Sequence, residues 1–232
     1  MSHEHLAATL PAKLPDDPMH WAATWLEDAT RANLRRNPNA MVVSTVSENG
    51  TPSSRVVLCK SFVADPGYIV FYTNYRSQKS REIEGNPRVA VNFHWDARGR
   101  QVRLQGLAVK SPAEESDRYF ASRDWGSQVG AWGSDQSSEL ASREALKEQV
   151  RARATQFGLE LADDLQSHKG SDAPLIPRPP HWGGFRIWPQ RVELWIEGAD
   201  RIHDRAAWTR ELVPDESDAF VAGPWSGSRL QP

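Results

Sequence analysis

The stretch Arg201-Ile202-His203-Asp204-Arg205 sets three side chains that can carry positive charge two residues apart. It follows an alternating apolar run, RVELWIEG, and reads as extended backbone. In a strand, side chains i, i+2 and i+4 share one face, so Arg201, His203 and Arg205 are expected to point the same way. Such neighbours lie about 7 Å apart and repel by roughly 2 kcal/mol at an effective dielectric of about 20, far less in water. Two readings stay open at this point: an idle, wet edge, or a face that carries an anion.

Other cationic and hydroxyl residues are spread among β-rich runs. RVVLCK puts Arg55 at one end and Lys60 at the other, with opposite parity, so a regular strand would send them to opposite faces. Taken alone, they read as a surface pair flanking a buried strand. SQKS opens a helix and could offer free backbone N–H groups, hydroxyls and Lys79 to an anion, or simply cap the helix. YFASRDWGSQVGAWGSDQSS gathers Tyr119, Arg123, Ser127, Gln136 and Ser137 in a polar stretch punctuated by glycine, which also reads as a solvated loop. The chain has no phosphate-binding G-x-x-x-x-G-K-[ST], dinucleotide G-x-G-x-x-G, nucleophile-elbow G-x-S-x-G or C-x-x-C pattern. His94, His168 and His181 lack partners at zinc-site spacing, and His3 and His5 fall on a polar arm, so no metal site is expected.

The whole chain sets limits on its partners. Its 232 residues carry a net charge of −2 and a pI near 6.4, which gives no electrostatic ground for nucleic acid or an anionic membrane. The single cysteine, Cys59, allows no intrachain disulfide and fits a reducing, cytoplasmic setting. Apolar runs are too short to span a bilayer, and no signal peptide is read at the N-terminus. Ten tryptophans are expected mainly in the core or at subunit contacts.

The elements that must position these residues follow from patterning. Residues 1–16 have no sustained period and are expected to form a flexible arm, ahead of a single domain over 17–232 with a mobile loop at 159–180. Asp17-Pro18 caps a helix with the stripe Met19, Ala22, Trp25, Leu26, Ala29. Asn49-Gly50 sits between two β-rich runs and predicts a hairpin. GYIVFYTN predicts a strand, SQKSREIEGNP a short helix, and VAVNFHW with RQVRLQGLAVK a strand pair. Ser111-Pro112-Ala113-Glu114 reads as a capping box before a helix through Phe120, and SREALKEQVRARATQFG as a helix ending at Gly158. WGGFRIW, RVELWIEG and DRIHDRAAWTREL complete a strand-rich end. The expected class is mainly β with flanking helices (α+β), a mostly antiparallel sheet closing into a barrel.

Taken in order from about Pro18 to the C-terminus, RVVLCK, FYTNYRSQKSREIEGNPRVAVNF, RQVRLQG, YFASRDWGSQVGAWGSDQSS, PRPPHWGGFRI, VELWIEGADRIHDR and RLQP resemble the pyridoxine (pyridoxamine) 5′-phosphate oxidase family. The resemblance implies an FMN-binding split β-barrel working as a homodimer with FMN at the subunit interface. It assigns flavin contacts to Arg55, Val56, Val57, Leu58, Cys59, Lys60, Tyr72, Thr73, Gln78, Lys79, Gln101, Gln136 and Ser137, with Trp195 and Arg205 contributed by the other subunit. It implies substrate binding by Lys60, Tyr119, Arg123, Ser127, Arg201, Ile202 and His203, with Arg201 and His203 in the catalytic roles. The flavin and substrate phosphates would supply the anions that the opening cluster calls for. The implied reaction is oxidation of phosphorylated B6 vitamers to pyridoxal 5′-phosphate, with oxygen as acceptor and hydrogen peroxide as by-product.

The chain departs from the family pattern at three points. No arginine or tyrosine precedes Arg31, where relatives often carry an Arg-Glu-Tyr lid; Gln78 stands where arginine is common; and Cys59 replaces an aliphatic residue. Two further readings remain: a related split-barrel flavin oxidase acting on phenazine precursors, and a non-catalytic flavin or pyridoxal phosphate binder.

Overall fold

The computed structural model describes residues 9–161, 175–215 and 219–232. The chain divides into two compact units: Met1–Phe71, Glu82–Val109 and Phe185–Pro232 form the first, and Tyr72–Arg81 with Lys110–Gly184 the second. Each passage from one unit to the other falls inside a helix or strand rather than in a linker.

In the first unit, α1 (Pro18–Arg31) opens as the Asp17-Pro18 signal predicts, the Asp17 carboxylate accepting the Met19 N–H at 2.7 Å. Its buried stripe holds Met19, Ala22, Trp25 and Ala29 with Trp21; Leu26 is only half-buried. β1 (Ala40–Val46) and β2 (Pro52–Leu58) form the hairpin around Asn49-Gly50, in register from Ala40↔Leu58 to Val46↔Pro52. Gly50 adopts the left-handed φ of +83° that such a turn needs. β3 (Ser61–Val63) pairs with β4 (Tyr68–Asn74), and β5 (Arg88–Trp95) with β6 (Arg100–Lys110). β7 (Trp182–Ile196) is one strand of 15 residues; it runs through Pro189, where the sequence patterning suggested two separate runs. The carbonyls of Pro189 and Gln190 still find partners there, in the Nε–H and backbone N–H of Arg210.

β8 (Asp204–Thr209) and β11 (Ser226–Leu230) complete a nine-stranded sheet of order β11-β8-β7-β6-β5-β1-β2, with β4 pairing β3 and β7. A separate hairpin joins β9 (Leu212–Pro214) to β10 (Phe220–Ala222). The registered pairs are antiparallel, and the fold class is the mainly β one that the sequence predicts. The inner face packs Met41, Val43, Val91, Phe93, Val102, Leu104, Ile187, Leu194 and Trp208, all nearly inaccessible to solvent. Of the arm expected over 1–16, residues 1–8 lie outside the described residues. The following stretch is tied to the sheet: Leu10 N–H donates to Asp204 (2.7 Å), Arg229 to the carbonyl of Pro11 (2.7 Å), and Trp208 Nε1–H to that of Pro15 (2.8 Å).

In the second unit, α3 (Ala113–Ala121), α4 (Trp125–Gly133) and α5 (Arg143–Gln156) surround Phe120, Val129, Ala154, Leu159, Ile176 and Trp182. The capping box expected at Ser111 does not form: Pro112 is the cap residue, and the Ser111 hydroxyl turns instead to Glu115 (3.3 Å). Ser142 caps α5 by accepting the Ala145 N–H at 3.0 Å. Of the loop expected over 159–180, residues 162–174 lie outside the described residues, and Leu159 and Ile176 on either side are buried. Among the described residues, no helix is long and apolar enough to cross a membrane.

Candidate functional site

In the first unit, Arg55 projects from β2 beside Val43 of β1. Its guanidinium donates to the Ser53 hydroxyl (2.7 Å), to Thr45 Oγ1 and to Glu82 Oε2 (3.3 Å). Glu82 comes from α2 (Gln78–Gly85), is 7 % exposed, and also accepts from the hydroxyls of Thr45 and Ser53. Arg55 is therefore held extended and half-buried by a carboxylate absent from the sequence reading. Val56 points outward at 67 % exposure, while Val57 and Leu58 are half-buried. The strand ends at Leu58, so the parity argument for Lys60 does not apply; Lys60 is exposed, its backbone N–H bonded to Val70 O. Between them Cys59 is buried, and burial pushes its thiol up to about 12.

At the other end of this sheet, Arg205 pairs in register with Trp195. Its Nε and Nη2 both donate to Glu193 Oε1 (3.1 and 2.8 Å), and Arg103 donates to Glu193 Oε2 (3.1 Å). Glu193, 4 % exposed, thus counters the cationic charge that the sequence left unbalanced. Gln101 lies two residues before Arg103 on β6, in register with His94, and lines a cavity of about 240 Å³ with Ser44, Asn92, Arg103 and Gln105.

The shared face expected for Arg201, His203 and Arg205 is not formed. Ala199–Arg201 is a 3-10 turn, Asp200 and Arg201 have φ of +53° and +64°, and the strand begins only at Asp204. The chain turns tightly because a Cβ at position 198 would lie 1.8 Å from the Ile202 carbonyl oxygen, an approach only Gly198 permits. The result separates the two arginines: Arg201 and Ile202 are exposed on the turn, whereas Arg205, on β8, is locked to Glu193 of β7. His203 packs 4.7 Å from the Trp195 ring and accepts the Gly198 N–H at Nδ1 (3.2 Å).

In the second unit, Thr73, Lys79 and Gln136 form one cluster. The Lys79 ammonium donates to Gln136 Oε1 (2.8 Å), Thr73 Oγ1 (3.1 Å) and Ser77 Oγ (3.1 Å), and Thr73 donates to Gln136 (3.0 Å). Lys79 is 8 % exposed, whereas Gln78, Gln136 and Ser137 are open to solvent, Ser137 with φ of +73°.

A second grouping in this unit is aromatic. Tyr72 stacks on Tyr119 (3.9 Å) and Trp182 (5.5 Å), and Arg123 lies over Trp182 at 4.7 Å and Phe120 at 5.6 Å. Burial, followed by the negative charge of Glu115, pushes the Tyr72 hydroxyl well above the tyrosine range. Burial also lowers the Arg123 pKa, and its Nη1 is buried with no hydrogen-bond partner among the described residues.

Ser127 stands in the first turn of α4, where its N–H and hydroxyl donate to Asp124 (2.8 and 2.9 Å). These bonds, led by the backbone N–H, hold the Asp124 carboxyl below its usual range. α4 replaces the solvated loop that glycine-rich WGSQVGAWG suggested; Asp124 as cap and the spacing Trp125, Val129, Trp132 are the signals that could have revealed it.

The chain matches the family described as pyridoxamine 5′-phosphate oxidase over residues 16–157, and a pyridoxine 5′-phosphate oxidase C-terminal dimerisation region over 182–232. It is 44 % identical over 217 residues to a pyridoxine/pyridoxamine 5′-phosphate oxidase of Rubrobacter xylanophilus, covering 93 % of this chain and 87 % of that one. A protein of the same name from Burkholderia lata is 42 % identical over 221 residues, covering 95 % and 92 %. Among solved structures, PhzG from Burkholderia lata in complex with tetrahydrophenazine-1-carboxylic acid is 28 % identical, with a TM-score of 0.75 and 94 % of each chain covered. A pyridoxamine 5′-phosphate oxidase-related, FMN binding protein from Nostoc punctiforme is 15 % identical with a TM-score of 0.63, covers 93 % of this chain and 97 % of that one, and shares the fold. Sequence and fold agree: the chain is a mostly antiparallel split β-barrel protein and belongs to the pyridoxine/pyridoxamine 5′-phosphate oxidase family.

Proposed function

We propose that the protein is an FMN-dependent oxidase that converts pyridoxine 5′-phosphate, pyridoxamine 5′-phosphate or both to pyridoxal 5′-phosphate, using oxygen and releasing hydrogen peroxide. Relatives bearing that name, matched over most of both chains, support the reading. The structural observation that carries it is Arg123: a guanidinium stacked on Trp182, with a buried Nη1 that has no hydrogen-bond partner among the described residues, is a donor prepared for an anionic oxygen. Tyr119 and Ser127 belong to the same unit and, with Arg123, are proposed to hold the substrate phosphate; Lys60 is assigned the same role.

The donor chemistry of the chain fits FMN. Lys79 with Thr73 and Gln136 offers a cation inside a ready hydrogen-bonded cluster, and Arg55 offers a guanidinium already oriented by Glu82. In the first unit, Arg55 to Lys60 and Gln101 are proposed to hold the flavin. In the second, the proposed contacts are Tyr72, Thr73, Gln78, Lys79, Gln136 and Ser137. Trp195 and Arg205 are proposed to act in a homodimer, a state that the match to a dimerisation region supports. When bound, FMN supplies two-electron redox chemistry between substrate and oxygen. Arg201 and His203, on the Gly198 turn, are proposed to orient the substrate ring and stabilise charge there. The buried, single Cys59 fits a cytoplasmic setting.

A second reading, a split-barrel flavin oxidase acting on a phenazine precursor, is favoured by the likeness to PhzG and by the absence of arginine and tyrosine before Arg31. Anaerobic mixing separates the readings. Bleaching of the yellow protein by pyridoxine or pyridoxamine 5′-phosphate supports the first. Reduction by a phenazine precursor alone selects the second, flavin binding without turnover selects a passive binder, and a colourless protein without FMN affinity overturns all three.

A further inference from the structure

We infer that the Gly198 N–H fixes His203 in the neutral tautomer protonated at Nε2, so that the ring offers a ligand a hydrogen-bond donor and not an acceptor. A backbone N–H can only donate, and this one meets Nδ1 at 3.2 Å, which must therefore present its lone pair. In a neutral imidazole the proton then resides on Nε2.

The contact is built into the turn. Gly198 is the residue that tolerates the Ile202 carbonyl oxygen 1.8 Å from a would-be Cβ. Ile202 N–H closes onto Ala199 O at 2.9 Å, and His203 N–H onto Arg201 O at 3.0 Å. The Trp195 ring, 4.7 Å away and tilted by 46°, packs against the imidazole and restricts its rotation. Gly198 is thus a positioning residue acting through its main chain.

The choice of tautomer defines the ligand group. A neutral N–H donor two residues from the exposed cationic Arg201 suits an anionic oxygen of the ligand. It does not suit a ligand N–H or a protonated hydroxyl that must donate. This identification of the ligand rests on the oxidase reading above, whereas the tautomer itself is a property of the free protein.

The test is a long-range proton–nitrogen correlation spectrum of histidine-labelled holoprotein, recorded well above the ring's observed titration midpoint. The His203 signals are identified by their loss in His203→Gln. A protonated Nε2 with an unprotonated Nδ1 is expected; a protonated Nδ1, or a fast mixture of both forms, overturns the inference whatever the enzyme oxidises. Two variants give a second readout. Asn at this position keeps an acceptor for Gly198 N–H but lacks the Nε2 donor, whereas Gln keeps the donor. His203→Asn is expected to raise KM about 10- to 100-fold with flavin content unchanged, and His203→Gln to raise it less. Equal losses in the two variants, or a greater loss in Gln, overturn the donor role. Failure of anaerobic flavin reduction by both phosphorylated vitamers would instead remove the oxidase reading and leave the tautomer standing.

Discussion

The Arg55 guanidinium and the Glu82 carboxylate lie 3.3 Å apart, 27 residues apart in sequence, with the hydroxyls of Thr45 and Ser53 closing the network around them. The cation proposed to meet an anionic ligand is here already oriented by a buried anion. That arrangement fixes the direction in which Arg55 can reach; stability depends on Glu82 and, under the proposed role of Arg55, ligand geometry does too.

Glu82→Ala should therefore destabilise the protein. It removes the shared acceptor of Thr45, Ser53 and Arg55, and leaving such donors unmatched costs about 2–3 kcal/mol for a partly accessible charged network. The urea midpoint should fall with an unchanged m-value. A midpoint equal to that of the parent would show that the network contributes nothing to folding.

Arg123→Leu tests the substrate-phosphate assignment. The side chain packs on Trp182 and Phe120 while its Nη1 has no partner among the described residues, so an apolar replacement should cost little stability. Losing a charge-assisted contact of about 1.5–3 kcal/mol should raise KM for a phosphorylated substrate by roughly 10- to 100-fold, with kcat and bound flavin little changed. An unaltered KM would remove Arg123 from the substrate site.

Much of this architecture was legible because its signals are local. The Asp17-Pro18 cap, the Asn49-Gly50 hairpin and the Ser142-capped helix each rest on residues a few positions apart, where propensity and hydrogen bonding act together. The parts that escaped depend on distant partners. Three glycines weaken helix propensity in α4, yet Asp124 caps it and the second unit's core buries Val129. Alternation suggested a strand at 201–203, but the close approach of Ile202 to Gly198 imposes a turn instead. Spacing could not disclose Glu82 or Glu193 as arginine partners, since register and tertiary packing bring them there; Glu193 and Arg103 are 90 residues apart. The resemblance named the candidate residues, and the structure adds the carboxylates that orient two of the arginines.

Arg201→Ala separates chemistry from cofactor retention. Arg201 is exposed on the turn, and no described hydrogen bond or ion pair of its side chain holds the fold, so its loss should leave unfolding and flavin content near those of the parent. If it orients substrate and stabilises charge during oxidation, kcat should fall by about 100-fold or more, the scale of a removed electrostatic contact to a reacting group. Flavin lost in parallel with activity would assign Arg201 to cofactor binding instead.

Cys59 supplies a pH signature of the folded core. Burial raises its thiol to about 12 from an ordinary value near 9, with main-chain hydrogen bonding at Val70 and Ser61 and the charge of Lys60 opposing the rise only partly. Between these limits the unfolded chain releases the thiol proton while the folded chain keeps it, so the folded state holds more protons and stability falls as pH climbs from about 9 towards 12. Below 9 the thiol is protonated in both states and contributes no slope. Cys59→Val, similar in size and without an ionisable group, should flatten the alkaline decline in unfolding free energy measured by urea titration across that range. The parent thiol should also resist alkylation at pH 8 until denaturant is added, because reaction requires the thiolate that burial suppresses. Rapid modification of the native protein, or identical alkaline slopes in parent and variant, would show that position 59 opens to solvent more readily than its packing implies.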